Sequence, residues 1–245
     1  KNRIRHMRFT VEQLDEFFEI QELHFDFDFA GADRAMLKMM EERQKVHDEK
    51  DHWVSQASVW YMDWYYRRAL AKAAVFSQEP YEIVYRIPEE LPTVFDPFRR
   101  GRDLGFDDSR LNDADFIKTH TYAIPWAAQG LSSMPTGSVW YRIRVPKLPE
   151  GPVGLLVGSV DSLCRVYANG RYVGDGVGWM QAFAFDLTDC FRPGEENFVA
   201  IEVMHNGISD IGTGGIVFPS YFFTGPRLSK RAPSIDPALE NQNED

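Results

Sequence analysis

The chain has 245 residues, 44% of them hydrophobic and 14% aromatic, enough to bury one generous core or two modest ones. A formal net charge of −10 argues against a nucleic-acid partner, because binders of a phosphate backbone gather Lys and Arg on one face. No run of 18 or more apolar residues is present to span a membrane as a helix. No signal-like apolar segment stands near Lys1; an export signal removed upstream of this numbering would fit a secreted or periplasmic setting.

The first eighty residues read as helical. Thr10 is expected to cap a short helix over Val11–Leu23. Phe25-Asp26-Phe27-Asp28-Phe29 alternates with period two and reads as a lone strand or an extended linker. Its two aspartates invite a metal or general-acid role, yet alternation alone puts aspartates on a wet face and phenylalanines on a dry one. From Asp33 to Phe76, Met36, Met39, Met40, Val46, Trp53, Trp60, Trp64 and Leu70 recur largely three or four apart with charges between, the pattern of an amphipathic helix. Unbroken, it would run about 65 Å, long for a globular unit, so a break is expected near Ser55–Ser58 with one of those serines as N-cap. The rings of Trp53, Trp60, Tyr61, Trp64, Tyr65 and Tyr66 suit sugar stacking, but at helical spacing they read as core or interface.

Ser77–Pro97 contains Pro80, Pro88, Pro92 and Pro97 and reads as a linker with one initial strand at Tyr81–Ile87. A domain boundary falls near Ser77. Beyond it the pattern changes to short strands. Val139–Val145 alternates large apolar with basic or aromatic side chains and stops at Pro146, as a half-buried strand does. Further strands are expected at Gly154–Val160, Ser162–Ala168, Arg171–Gly174, Phe183–Thr188 and Asn197–Met204. Asn169-Gly170 joins two of them and tolerates the positive φ angles of a tight type I′ hairpin. The predicted fold class is α+β in sequence order: a helical segment over 1–77, an antiparallel β-sandwich over 78–229, and a disordered acidic tail over 230–245. Cys164 and Cys190 have no CxxC spacing, make no metal site, and are expected to be buried thiols rather than a disulfide.

Seven pieces, taken in order, are Val139-Trp140-Tyr141-Arg142, Gly158-Ser159-Val160-Asp161-Ser162, Tyr167-Ala168-Asn169-Gly170, Val173-Gly174, Phe183-Ala184-Phe185-Asp186-Leu187-Thr188, Pro193-Gly194-Glu195-Glu196-Asn197 and Val203-Met204-His205-Asn206. Together they resemble the sugar-binding, galactose-binding-like jelly-roll domain of glycoside hydrolase family 2, the family of β-galactosidases and β-glucuronidases. Upstream, Phe95-Asp96-Pro97, Gly105-Phe106-Asp107-Asp108-Ser109 and Ile124-Pro125-Trp126 resemble the opening of such domains. The chain departs from the pattern in three places. Phe116 stands where the family commonly has tryptophan, Arg110–Ala114 lengthens a turn, and Gly214–Phe222 lacks the family's aromatic-arginine pair, which removes any contact that arginine would make to a neighbouring catalytic domain.

A glycosidase needs two carboxylates across the scissile bond, and the resemblance implies that these lie in a separate TIM-barrel domain. This chain has neither the alternating β/α pattern nor the length for one. It also lacks a Ser-centred nucleophile elbow, a His-Glu-x-x-His pair and a phosphate loop; Gly212-Thr213-Gly214-Gly215 reads as a loop between strands. What remains is a ligand site on loops at one end of the sandwich. Its candidates are Trp126, Asp161, Trp179, Gln181, His205, Asn206 and Asp210, an aromatic platform with a few amide or carboxylate partners. The competing reading has Trp126 and Trp179 plug the sandwich or meet an adjacent domain, and Asp161 and Asn206 bond turn backbones. No cofactor is expected, with a structural calcium near Asp103, Asp107 and Asp108 left open. The expected role is a noncatalytic carbohydrate-binding or scaffolding module of a glycoside hydrolase, its partners a carbohydrate or a glycosidase catalytic domain. The alternative, from a different class, is an interaction module docking through its Trp-rich helices.

Overall fold

The computed structural model describes residues 2–48, 56–121, 129, 137–160, 163–178, 181–205 and 215–228, with backbone alone at 2–3, 6, 56–65 and 205. The chain divides into two compact units, Lys1–Ser77 and Gln78–Asp245. The expected tail lies outside the described residues.

The first unit holds α1 (Asn2–Phe25), α2 (Phe29–Asp48) and α3 (Gln56–Val75). Two expectations change here. The first helix starts well before Thr10, which sits inside it, and Phe25–Phe29 is not extended but is the corner between α1 and α2. Its hydrogen bonds explain why. Asp28 N donates to Leu23 O (2.9 Å) and Phe27 N to His24 O (3.1 Å), the two bonds that close a helix C-terminus, with Phe27 at φ +66° in the left-handed position. Asp28 then caps α2: its Oδ1 accepts from Gly31 N at 2.8 Å and its carbonyl from Ala32 N at 2.9 Å. The alternation still sets burial, with Phe29 buried and both aspartates exposed. Residues 49–55, including Ser55, lie outside the described residues; Ser58 is inside α3 rather than at its cap.

Helical spacing places Ile20 of α1, Met36 and Met39 of α2, and Ala69, Leu70 and Ala73 of α3 in a core that is almost fully sealed. His24 is buried among these side chains and shares a 2.8 Å hydrogen bond with Tyr66 Oη. Desolvation depresses its pKa to about 3 and raises that of Tyr66, so His24 is neutral in the fold. Arg67 Nε lies 3.1 Å from Asp33 Oδ1, close enough for an ion pair but without hydrogen-bond alignment, and burial raises the Asp33 pKa more than Arg67 lowers it.

The second unit is an antiparallel β-sandwich. One sheet has the order β1 (Glu82–Arg86), β11 (Tyr221–Thr224), β5 (Val153–Val160), β10 (Ile216–Phe218), with β8 (Gln181–Asp186) also pairing β5. The other runs β3 (Ile117–His120), β2 (Glu90–Asp96), β4 (Gly137–Val145), β9 (Asn197–His205), β6 (Leu163–Ala168), β7 (Arg171–Val177). Every second residue of β4 and β9, namely Val139, Tyr141, Ile143, Val199, Ile201 and Val203, meets Leu155, Val157 and Phe222 of the opposite sheet. Full burial of each such aliphatic or aromatic side chain contributes about 1.5–3 kcal/mol, which makes this seam the main source of the unit's stability.

β4 is not half-buried as its alternation predicts: only Arg144 is exposed. Residues 97–116 fold over its outward face and cover Trp140, which stacks on Tyr167 at 5.3 Å and meets Phe106 edge-on at 6.1 Å. The segment read as linker holds a further strand, β2. Its Pro92 pairs with Lys118 of β3 but lies outside Thr93–Asp96, the stretch that pairs with β4, so the missing N–H breaks no bond there.

Candidate functional site

The register places many strand ends together. Gly137 pairs with His205, Leu163 with both Met204 and Val177, and Val160 with both Gln181 and Ile216. Only two residues separate Val160 in one sheet from Leu163 in the other, so these ends form one rim of the sandwich. Of the seven sequence-predicted residues, Gln181 is described in full. It is half-buried at the start of β8, and its amide lies where a Cβ on Gly178 would meet it, at 2.9 Å. His205 is the last residue of β9, described as backbone. Trp126, Asp161, Trp179, Asn206 and Asp210 lie outside the described residues. The strand ends that flank Asp161, Trp179, Asn206 and Asp210 are all rim ends. Trp126 falls between β3, which ends at His120 opposite Glu90 towards the other end, and β4, which begins at the rim with Gly137.

That opposite end is a closed polar knot. Asn169 (φ +50°) and Gly170 (φ +77°) form the expected two-residue hairpin between β6 and β7. The Asn169 side chain reaches further: Nδ2 donates to Cys190 O and to Asn197 Oδ1, each at 2.8 Å, and Oδ1 accepts from Phe198 N at 3.0 Å. Asn197, 6% exposed, accepts from Arg192 N at 2.9 Å and donates to Arg192 O and Glu195 O. The Tyr167–Gly170 and Pro193–Asn197 motifs are therefore two halves of one cross-link. Each satisfies backbone groups that a tight turn would otherwise leave unbonded.

On the outer face of the six-stranded sheet, Asp96 accepts from Arg100 N (2.9 Å), Gly101 N (2.6 Å) and Trp140 Nε1 (3.3 Å), turning the chain at the end of β2. Gly101 is required there, since a Cβ would stand 2.3 Å from the Trp140 indole. Arg142 is sealed beneath the covering segment. Its guanidinium donates to the carbonyls of Phe106, Asp108 and Leu111 and to Asp113 Oδ2 (3.3 Å), with the Phe198 ring 4.6 Å below. The Arg110–Ala114 extension thus supplies two of the groups that hold this arginine. Sequence reading missed Arg142, Asp96 and Asn197 as structural centres; the visible signal was a basic residue at an alternating position of a strand, on the same face as Trp140.

The carboxylates considered for calcium are engaged elsewhere. Asp103 pairs with Arg100 (3.4 Å), Asp107 with Arg102 (3.3 Å) and Asp108 with Arg110, whose hydrogen bonds hold the Asp108 pKa down to about 2. Among the described residues no three side chains of His, Cys, Asp or Glu converge as a metal site. Cys164 and Cys190 are not bonded to each other, and burial pushes the Cys164 thiol up to about 12, an unreactive core thiol.

No protein-family model matches the chain. Over 70 residues it is 39% identical to a β-glucuronidase of Formosa agariphila, a match that takes in 27% of this chain and 7% of that one. Among solved structures it is similar to the β-glucuronidase of Ruminococcus gnavus. The complex with D-glucuronic acid has a TM-score of 0.49 at 15% identity, covering 61% of this chain and 30% of that one; the apo structure gives 0.47 over the same shares. The chain holds a helical unit and an antiparallel β-sandwich, and is similar over part of its length to a glycoside hydrolase. It spans less than a tenth of the curated relative and less than a third of the solved ones.

Proposed function

We propose that the sandwich is a noncatalytic, galactose-binding-like jelly-roll module of a glycoside hydrolase of the β-galactosidase and β-glucuronidase kind, and that its rim holds carbohydrate for a catalytic domain on other residues. The observation that carries this reading is the division of the sandwich into two ends. Two motifs of the resemblance, Tyr167–Gly170 and Pro193–Asn197, are used up in a cross-link at one end, while the strand ends beside Asp161, Trp179, Gln181, His205, Asn206 and Asp210 lie at the other. An aromatic platform with amides and carboxylates around it suits the mixed apolar and hydroxyl surface of a sugar. The 39% identity to part of a β-glucuronidase supports an acidic sugar or a related glycoside as the first ligand to try.

Calorimetric titration with galactosides, glucuronides and plant or algal oligosaccharides tests the proposal, repeated on Trp179→Ala and Trp126→Ala. Saturable binding is expected, weakened roughly tenfold or more when the platform ring is removed, as for a buried aromatic anchor. Hydrolysis of the bound glycoside is not expected. Silence across the panel from folded protein would leave the sandwich as a scaffold only.

A further inference from the structure

Helix α1 carries two apolar faces. One, with Gln13, Ile20 and His24 buried, belongs to the core of the helical unit. The other is Ile4, Met7, Val11, Leu14 and Phe18, each between 50% and 75% exposed, following one another in alternating steps of three and four residues. That is the spacing of a and d positions in a coiled coil, and five large apolar side chains on one line form a patch rather than scattered surface residues.

We propose that this stripe is the seam through which two copies of the chain pair, α1 against α1 in antiparallel orientation. The charge order along the helix selects this occupant. Arg5 and Arg8 are exposed in the first half and Glu12, Asp15, Glu19 and Glu22 in the second, and no acidic residue lies in the first turn. This order runs against the helix dipole, which favours acids at the N-terminus and bases at the C-terminus. An antiparallel second copy reverses the balance, because each basic half then lies along an acidic half. Arg8, Asp15 and Glu22 are seven apart, on one flank of the seam. With Val11 of one copy opposite Leu14 of the other, Arg8 stands beside Asp15 of the second copy. The Arg8 contact with Glu12 inside one chain, 3.8 Å between exposed groups, is weak enough to yield to it. A parallel pair would lay basic half along basic half and acidic half along acidic half. An anionic lipid surface would attract the two arginines and repel the four carboxylates.

Sedimentation equilibrium of the full chain over a range of concentrations reads the state directly. A dimer is expected that Leu14→Glu or Val11→Glu converts to monomer with unchanged helical circular dichroism. Arg8→Glu and Asp15→Arg should each weaken the dimer by roughly fivefold, as expected for two symmetric exposed charge pairs, and the double exchange should restore it to within about twofold. A chain that stays monomeric at every concentration would overturn the proposal. So would a dimer indifferent to Leu14→Glu, binding of monomer to phosphatidylserine vesicles through the same stripe, or charge variants that add instead of compensating.

Discussion

Asn169 shows how one residue ties local chain geometry to the sandwich. It occupies a left-handed position in the hairpin, and its amide bonds groups on Cys190, Asn197 and Phe198. Asn169→Gly keeps the permitted φ but removes three side-chain hydrogen bonds, a loss of about 2–3 kcal/mol. Asn169→Ala adds the left-handed penalty of about 1–2 kcal/mol, so urea unfolding should rank wild type above Gly above Ala. An alanine variant as stable as glycine would show that the turn conformation is not the strained one described. The hairpin was legible because Asn-Gly is a local signal, whereas its partners lie 21 and 28 residues away and leave no trace in local pattern. Arg142 was illegible for the same reason: a basic residue in a strand reads as solvent-facing until a distant segment is seen to cover it. Candidate site residues could be chosen only by type and by position after a strand.

At the scale of elements, regular periodicity was read well and element ends poorly. The strands at Gly154–Val160 and Asn197–Met204 match β5 and β9 within a residue, since long apolar runs in a sandwich leave little choice. Phe25–Phe29 misled because period-two burial arises in a capped helix corner as well as in a strand. β2 was missed because Pro92 argues against a strand unless its neighbour on that side is absent. In the helical unit, His24 links α1 to Tyr66 of α3 and gives those elements a pH dependence. Its pKa is depressed from 6.5 to about 3 on folding, so the unfolded chain binds the proton more tightly. The stability it permits is complete above about pH 6.5 and falls by up to about 1.4 kcal/mol per unit as the pH drops towards 3. Thermal unfolding of wild type against His24→Gln from pH 7.5 to 5 isolates this contribution from the opposite drift of Asp33, whose raised pKa favours the fold as pH falls. The gap between the two proteins should narrow or reverse on acidification; a constant gap would mean that His24 titrates alike folded and unfolded.

For the whole molecule, the proposed function divides ligand binding and architecture between the ends of the sandwich. Hydrophobic seam, Asn169–Asn197 knot and Arg142 latch hold the two sheets and their cover, and none of these groups is available for a ligand. The rim gathers strand ends from both sheets within a few residues of one another, which is where loop variation changes binding without disturbing the core. The measurement that tests this division most directly is amide ¹H–¹⁵N correlation spectroscopy of the chain titrated with methyl β-D-glucuronide. Saturable shifts are predicted at Gly137, Val160, Leu163, Gly178, Gln181 and Ile216, with Asn169, Gly170 and Asn197 unmoved. Shifts centred on the Asn169 end, or none anywhere at saturating sugar, would contradict the account.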